Sequence, residues 1–274
     1  MSKQLLIYES VVPLNAARHG GCSVEFSDDY AFSGKVNSVP LLAVEFPHAA
    51  AEYPIVFSGN ENALMPAVIL GIRGDENLFL SKKNGWDAKY IPAFVRRYPF
   101  VFSTSPDGQM LLLCIDEAYP GFKRDAASGG ERLFDDNGKP SSYVDNVLKF
   151  QQEYQTQFLR TQTFCKNLRE LDILDPMLAQ VEMPAGGRVA LGGFMAVSRP
   201  KLKALPGDKL AKLAQTDELE LLYLHLQSMR NFTDLKDRLA KSEKERLTPS
   251  ESDQAAERIT PSRNQNGHAA AAAG

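Results

Sequence analysis

The first half of this chain is broken into short apolar runs, each closed by proline, glycine or asparagine, and that punctuation limits what it can fold into more than any other feature. Tyr53-Pro54-Ile55-Val56-Phe57, Ala67 to Ile72, Asn77-Leu78-Phe79-Leu80, Phe100-Val101-Phe102 and Met110 to Ile115 are rich in β-branched and aromatic residues. Such residues suit a pleated, half-buried surface, so each run predicts a buried strand. Lys83-Asn84-Gly85-Trp86 reads as a tight turn using positive φ, and Ser105-Pro106-Asp107-Gly108 as a proline-led turn closing a β-hairpin. Pairing Ser105 with Gly108 sets Arg97 opposite Asp116 and Arg96 opposite Glu117, predicting two cross-strand ion pairs.

Helical periodicity is confined to the second half. From Ser142 to about Leu174, Val144, Val147, Tyr154, Phe158, Cys165, Leu168 and Leu171 recur at threes, fours and sevens, the stripe of an amphipathic helix. Ser142 is its expected cap and Pro176 its stop, with Gln151, Gln152, Gln155, Gln157 and Gln162 on a solvated face. A hairpin turn is expected at Ala185-Gly186-Gly187, and a bulge or close backbone approach at Gly192-Gly193. A short helix should start near Asp208. A second should start near Asp217, with Glu220 completing a capping box. Leu219 to Leu226 is apolar on nearly every face, which predicts a buried helix.

Strand-like runs followed by helices make an α+β fold rather than a repeating βαβ one: an antiparallel β-rich N-terminal half packed with the helices of the C-terminal half. The 274 residues divide into one domain over 1–240 and a tail over 241–274, whose Ser, Glu, Lys, Arg, Asn and Ala composition cannot offset its ordering entropy. With 31 Lys+Arg against 34 Asp+Glu the net charge is −3, so nucleic acid is not an expected partner. No apolar run approaches the ~20 residues of a membrane span, and the start Met1 to Glu9 has no signal-like stretch. The expected location is the cytoplasm, with leaderless export to the cell surface as the other route. Cys22, Cys114 and Cys165 are too few and too widely spaced for a disulfide framework. Cys114 and Cys165 read as packing residues, and Cys22, beside Gly20 and Gly21, as the one open to solvent.

Groups able to carry chemistry are sparse. Glu45, His48 and Glu52 stand at i, i+3 and i+7, a spacing that on a helix gathers two carboxylates and an imidazole for acid-base or metal chemistry. Pro47 and Pro54 limit any helix there to two turns, and no metal or cofactor is implied. His225 with Ser228 can be drawn as base and nucleophile, yet lacks a third orienting group, and a hydrogen-bonded core histidine is the better reading. The usual phosphate-loop, hydrolase-elbow and zinc-protease motifs are absent from the sequence. The densest unusual segment is Tyr90 to Phe100, two arginines among aromatics and prolines. It nominates Trp86, Arg96, Arg97 and Tyr98 as an anion or peptide-carboxylate site, because guanidinium forks hold carboxylates and stack on rings. Asn231-Phe232-Thr233 matches a glycosylation acceptor by accident of sequence.

Three stretches together resemble the SapC family of bacterial proteins. They are Asn37-Ser38-Val39-Pro40 leading to Glu45-Phe46-Pro47 and Glu52 to Phe57; Asn77-Leu78-Phe79 with Trp86 and Tyr90 to Phe100; and Gly192-Gly193-Phe194 with Leu224-His225-Leu226-Gln227-Ser228. The likeness covers about residues 10 to 240. The resemblance implies association with a bacterial surface layer, and similar proteins lie near tryptophan-halogenase-like, cupin-like and TonB-dependent receptor proteins in bacterial genomes. It brings no catalytic residues. The expectation is a non-enzymatic accessory or binding protein of a surface-layer or uptake-linked system, with an unknown protein or peptide partner. The alternative is an enzyme or enzyme partner acting on a small molecule or peptide. Nothing in the sequence sets an oligomeric state.

Overall fold

The computed structural model describes residues 6–59, 63–105, 107–182 and 188–247. Its strands are β1 (Val11–Pro13), β2 (Ser23–Val24), β3 (Ser38–Pro40), β4 (Ile55–Ser58), β5 (Met65–Ile69), β6 (Phe100–Thr104), β7 (Leu111–Asp116), β8 (Phe122–Lys123), β9 (Glu131–Arg132), β10 (Leu174–Glu182) and β11 (Arg188–Val197). The helices are α1 (Ala16–His19), α2 (Phe46–Ala49), α3 (Ala93–Arg96), α4 (Ser142–Glu170), α5 (Arg199–Lys203), α6 (Gly207–Gln215), α7 (Glu218–Ser228) and α8 (Asn231–Leu247). The strands form three antiparallel sheets, ordered β10-β11-β4-β5-β3, β1-β7-β6 and β8-β2-β9. The fold is α+β, and one continuous core joins residues of both halves, from Val39, Phe57 and Phe100 to Leu168, Leu222 and Leu239.

Several local expectations meet the structure directly. Asn84 takes φ +58° in its turn, as Asn-Gly chemistry requires. In the β10–β11 hairpin the register slips between Met177 and Ala179, where Gly192 and Gly193 face the single residue Leu178. Gly193 has φ +80°, so the bulge needs glycine there, whereas a Cβ on Gly192 would meet only the flexible end of the exposed Leu178 side chain at 3.0 Å. The turn expected at residues 185–187 lies outside the described residues.

Other expectations are corrected. Residues 77–80 form no strand; Leu80 makes only an isolated bridge to Trp86. Gly108 N does donate to Ser105 O, but Ser105 N goes to Met110 O and Thr104 faces Leu111. Pairing is therefore two residues out of the expected register, which would have set Thr104 against Gln109. Arg96 and Arg97 are not in the strand at all, because Pro92 starts α3 and the chain turns through cis Tyr98-Pro99 before β6. Asp116 accepts backbone N–H groups from Glu9, Ser10 and Ala118, and among the described residues Glu117 pairs with Arg18, His19 and Arg124 and not with Arg96. That cluster, led by the Arg18 hydrogen bond, holds the Glu117 carboxyl down at about 2. Cys22 is buried along with Cys114 and Cys165.

In the second half, the apolar stripe of α4 faces inward as expected, with Val144, Tyr154, Cys165 and Leu168 buried. Its cap is Ser141, not Ser142, accepting from Val144 N. It ends at Glu170 with Leu171 as its C-cap, and Pro176 lies in β10. Gln151 is not solvated: it is buried and donates to the carbonyls of Arg97 and Phe100. Asp217 precedes α7 at φ +59° with no side-chain cap, so the capping box does not form. α7 is buried along one side, through Leu222, His225 and Ser228, while Tyr223 is 46% exposed. α8 runs through residue 241 to Leu247, past the expected start of the tail, with Arg73 and Lys82 reaching Glu243 and Glu245. Residues 248–274 lie outside the described residues.

The cap assignment is testable. Ser141→Ala should cost about 1 kcal/mol of stability, the usual worth of an N-cap hydroxyl. Ser142→Ala should stay within about 0.5 kcal/mol, both read from urea unfolding.

Candidate functional site

The segment around Glu45 is built by a buried carboxylate rather than by helix propensity. A 3-10 turn at Ala43–Glu45 runs into α2, and Glu45 is buried there. Its Oε2 accepts Leu42 N at 2.8 Å, closing the turn. Its Oε1 accepts Ala93 N and Tyr90 Oη, each at 2.7 Å, tying α2 to the start of α3. Burial pushes the Glu45 carboxyl up, and the donors from Ala93, Leu42 and Tyr90 pull it back. α4 lies against the same turn, where Thr161 Oγ1 accepts Ala43 N at 2.9 Å.

Between these elements is a half-open cleft of about 360 Å³, lined by Leu42, Val44, Glu45, His48, Tyr90, Ala93, Arg96, Phe150, Glu153, Tyr154 and Gln157. His48 stacks on Tyr90 at 5.3 Å and 21° between planes. The Arg96 guanidinium sits over both Tyr90 and Phe150, 5.8 and 5.6 Å from their ring centres. Arg96 Nε donates to Ile91 O at 2.9 Å, which fixes the plane of the fork. Arg96 is exposed, and among the described residues no carboxylate lies within ion-pairing distance of it, whereas Glu153 is engaged by Gln157 at 2.7 Å. The cleft thus offers an oriented cation between two rings, with an apolar floor of Leu42, Ala93 and Tyr154.

Of the residues nominated from sequence, Glu45, His48 and Arg96 come together here. Arg97, the C-cap residue just after α3, points inward instead. It is 4% exposed, with its guanidinium 4.5 Å from the ring centres of both Phe94 and Tyr154 and 5.8 Å from that of Tyr8. Tyr98 is buried, stacked on Phe32 at 4.2 Å and edge-on to Tyr8 and Tyr119. Trp86 donates from Nε1 to Tyr53 Oη at 2.7 Å, and Tyr53 donates to the carbonyl of Tyr90, so Trp86 braces the cleft wall from behind. Glu52 follows the end of α2 and accepts Lys89 N at 2.7 Å. The helix that would have put it on one face with Glu45 and His48 stops at Ala49. No group of three or more His, Cys, Asp or Glu is placed to hold a metal ion among the described residues.

His225 does not line the cleft, and both of its ring nitrogens are engaged. Its Nε2 accepts Val197 N at 2.9 Å and its Nδ1 faces Ile55 O at 2.8 Å, which fixes the proton on Nδ1. Ser228 Oγ donates to His225 O and accepts Ile55 N, so it has no bond to the imidazole. Asn231 is also buried and donates to Ala50 O and Tyr53 O, which closes its side chain to glycosylation in the folded protein.

Sequence reasoning missed Phe150, Glu153, Tyr154 and Gln157 as site residues. Their spacing of three, four and seven marks one face of α4, and that signal was present. It did not show that the 42–48 turn would pack beside that face. The SapC family model matches residues 14–235 of the chain. No curated protein and no solved structure matches it.

His225 gives a pH prediction. Burial holds its imidazole down to about 4 from an ordinary 6.5, against the Ile55 hydrogen bond that raises it. The unfolded chain therefore takes the proton first, and stability falls as pH drops from about 6.5 toward 4. Between pH 7 and 4.5 the loss from this one group should be about 2–3 kcal/mol. Glu45, with its carboxyl raised, acts in the opposite direction over the same range. Urea unfolding at both pH values, compared between wild type and His225→Gln, isolates the histidine: the variant should be weaker at pH 7 and lose less on acidification.

Proposed function

The chain belongs to the SapC family, and from that premise we propose that it is a non-enzymatic binding protein, an accessory of a surface-layer or uptake-linked system, that takes a carboxylate-bearing peptide end or side chain into the Arg96 cleft. The observation that carries this reading is the state of Arg96. Its fork is oriented by Ile91 O and flanked by two rings, and it has no carboxylate partner among the described residues. A planar guanidinium held in this way accepts a carboxylate bidentately without first paying to order its own side chain. The rings and the apolar floor suit an aliphatic or aromatic group beside that carboxylate.

The use of the other polar groups supports binding over catalysis. Both oxygens of Glu45 are engaged, by three donors in all, and a general base needs an accessible lone pair. His48 reaches the cleft as an exposed ring stacked on Tyr90, which serves contact with a ligand as well as it would acid-base work.

The test uses N-acetyl-phenylalanine and its amide as probes, followed by NMR titration of the full chain. The free acid should bind in preference to the amide. Arg96→Ala should weaken binding about 10- to 100-fold, the worth of a charge-assisted hydrogen-bond pair, with folding stability within about 0.5 kcal/mol of wild type. Arg97→Ala should behave in the opposite way, costing about 3 kcal/mol of stability through lost packing in an aromatic cage. Equal binding of acid and amide, or binding indifferent to Arg96→Ala, would sink the proposal.

A further inference from the structure

The Arg96 cleft is not uniformly cationic. Its lining sets one guanidinium against two carboxylates, Glu45 and Glu153. Both oxygens of Glu45 are engaged by Leu42, Ala93 and Tyr90, and the residue is buried. Glu153 is different. It stands on α4 one turn beyond Phe150, the ring that Arg96 covers, and it is exposed. Its Oε1 accepts Gln157 Nε2 at 2.7 Å, which holds the carboxylate in place. Among the described residues its Oε2 accepts no hydrogen bond, and no lysine or arginine pairs with it.

A ligand that carries a carboxylate alone meets opposing charges here. Arg96 attracts it, while Glu153, lining the same cleft beyond ion-pairing distance of Arg96, repels it. A positive charge on the ligand turns that repulsion into attraction, so that both of its charged groups find complements. The rest of the lining is largely apolar: Leu42, Ala93 and Tyr154 form the floor, and Val44, 55% exposed, also faces the space. A half-open cleft of about 360 Å³ suits a ligand of dipeptide size rather than a folded partner.

We infer that the preferred ligand is a zwitterionic peptide end, with its terminal carboxylate on Arg96, an apolar last side chain on the floor and a basic side chain on the residue before it turned to Glu153. This rests on the carboxylate-binding reading given above and narrows it. A lysine or arginine stem is long and flexible, so its head reaches a carboxylate that Arg96 itself does not reach, while the stem covers apolar surface on the way. Glu153 is then a specificity-determining residue, selecting for a cation and against an acidic neighbour by like-charge repulsion. The Gln157 bond orders the carboxylate before the ligand arrives, as Ile91 O orders Arg96.

NMR titration of the full chain at low ionic strength separates the two claims with four probes: acetyl-lysyl-phenylalanine, acetyl-norleucyl-phenylalanine, which keeps the stem without the ammonium, and the C-terminal amide of each. Wild type should bind the lysyl acid about 3- to 10-fold more tightly than the norleucyl acid, the worth of a partly exposed charge pair. Glu153→Gln should abolish that preference and leave the norleucyl acid bound at least as well, and Glu153→Lys should reverse it. Glu153 is exposed, so both variants should melt near wild type. Acids preferred over amides, with lysyl and norleucyl acids bound equally, would overturn the inference and leave the reading of Arg96 standing. A lysyl preference that survives Glu153→Gln would overturn it as well, because the cation is then held elsewhere. Acids and amides bound equally, or no probe bound, would remove the reading and the inference together.

Discussion

His225, Ser228 and Asn231 stand one helical turn apart and take hold of backbone groups in the main sheet and in the segment between α2 and β4. Together they fasten the α7–α8 junction to Val197 at the end of β11, to both polar groups of Ile55 at the start of β4, and to the carbonyls of Ala50 and Tyr53. All three side chains are buried, at 0 to 1% exposure. A buried donor or acceptor left without its partner costs about 1–3 kcal/mol, so losing any one of them exposes two or more backbone groups to that penalty. The seam decides where the C-terminal helices sit, and it fixes the chain from Ala50 to Ile55. The cleft depends on that fixed stretch, because the residues just before it carry Glu45 and His48.

A second buried polar centre completes the positioning. Glu45 joins the 42–45 turn to Tyr90 and Ala93, and the Trp86–Tyr53–Tyr90 chain of hydrogen bonds holds the far wall. Arg97 fills the interior behind it between Phe94 and Tyr154, and Gln151 caps the carbonyls of Arg97 and Phe100 from α4. With one face of α3 anchored in this way, the adjacent residue, Arg96, is presented outward on a rigid support. A binding group placed on rigid backbone loses little entropy when a ligand arrives. Adjacent arginines therefore have opposite uses, one as internal packing and one as surface contact, and the difference arises from the 100° rotation per residue of a helix.

This pair also shows where the sequence was legible and where it was not. The α+β class, the stripe of α4, the Asn-Gly turn and the Gly192-Gly193 bulge all depend on interactions within a few residues, and local pattern encodes those. The fates of Arg96 and Arg97 depended on whether their segment was strand or helix. Pro92 and Pro99 sit at both ends, and proline disrupts a strand as readily as it opens a helix. Reading it as strand gave alternation to opposite faces, with Asp116 and Glu117 as partners. In the fold Asp116 accepts backbone N–H groups, and Glu117 pairs with Arg18 and Arg124, partners roughly a hundred residues away or hidden in a loop. Gln151 was misread for a related reason: a glutamine on the edge of an apolar stripe is solvated unless a distant carbonyl needs it.

The stretches that resemble the SapC family carry this architecture as much as any site. Glu45, Tyr53, Ile55, Trp86, Tyr90, Phe94, Arg97, His225 and Ser228 all fall within them, and each is tied into the two polar centres or the aromatic packing between them. Arg96, in the same stretch, is exposed and makes no ion pair among the described residues, although Glu45 and Glu153 line the same cleft. Family likeness in this chain therefore marks chiefly how the cleft is held, and under the proposed function the choice of ligand would rest on the few groups at its mouth, Arg96, Tyr90, His48 and Phe150. A protein built in this way can keep its frame while the side chains at the mouth vary, because none of them but Tyr90 bears on the buried polar network.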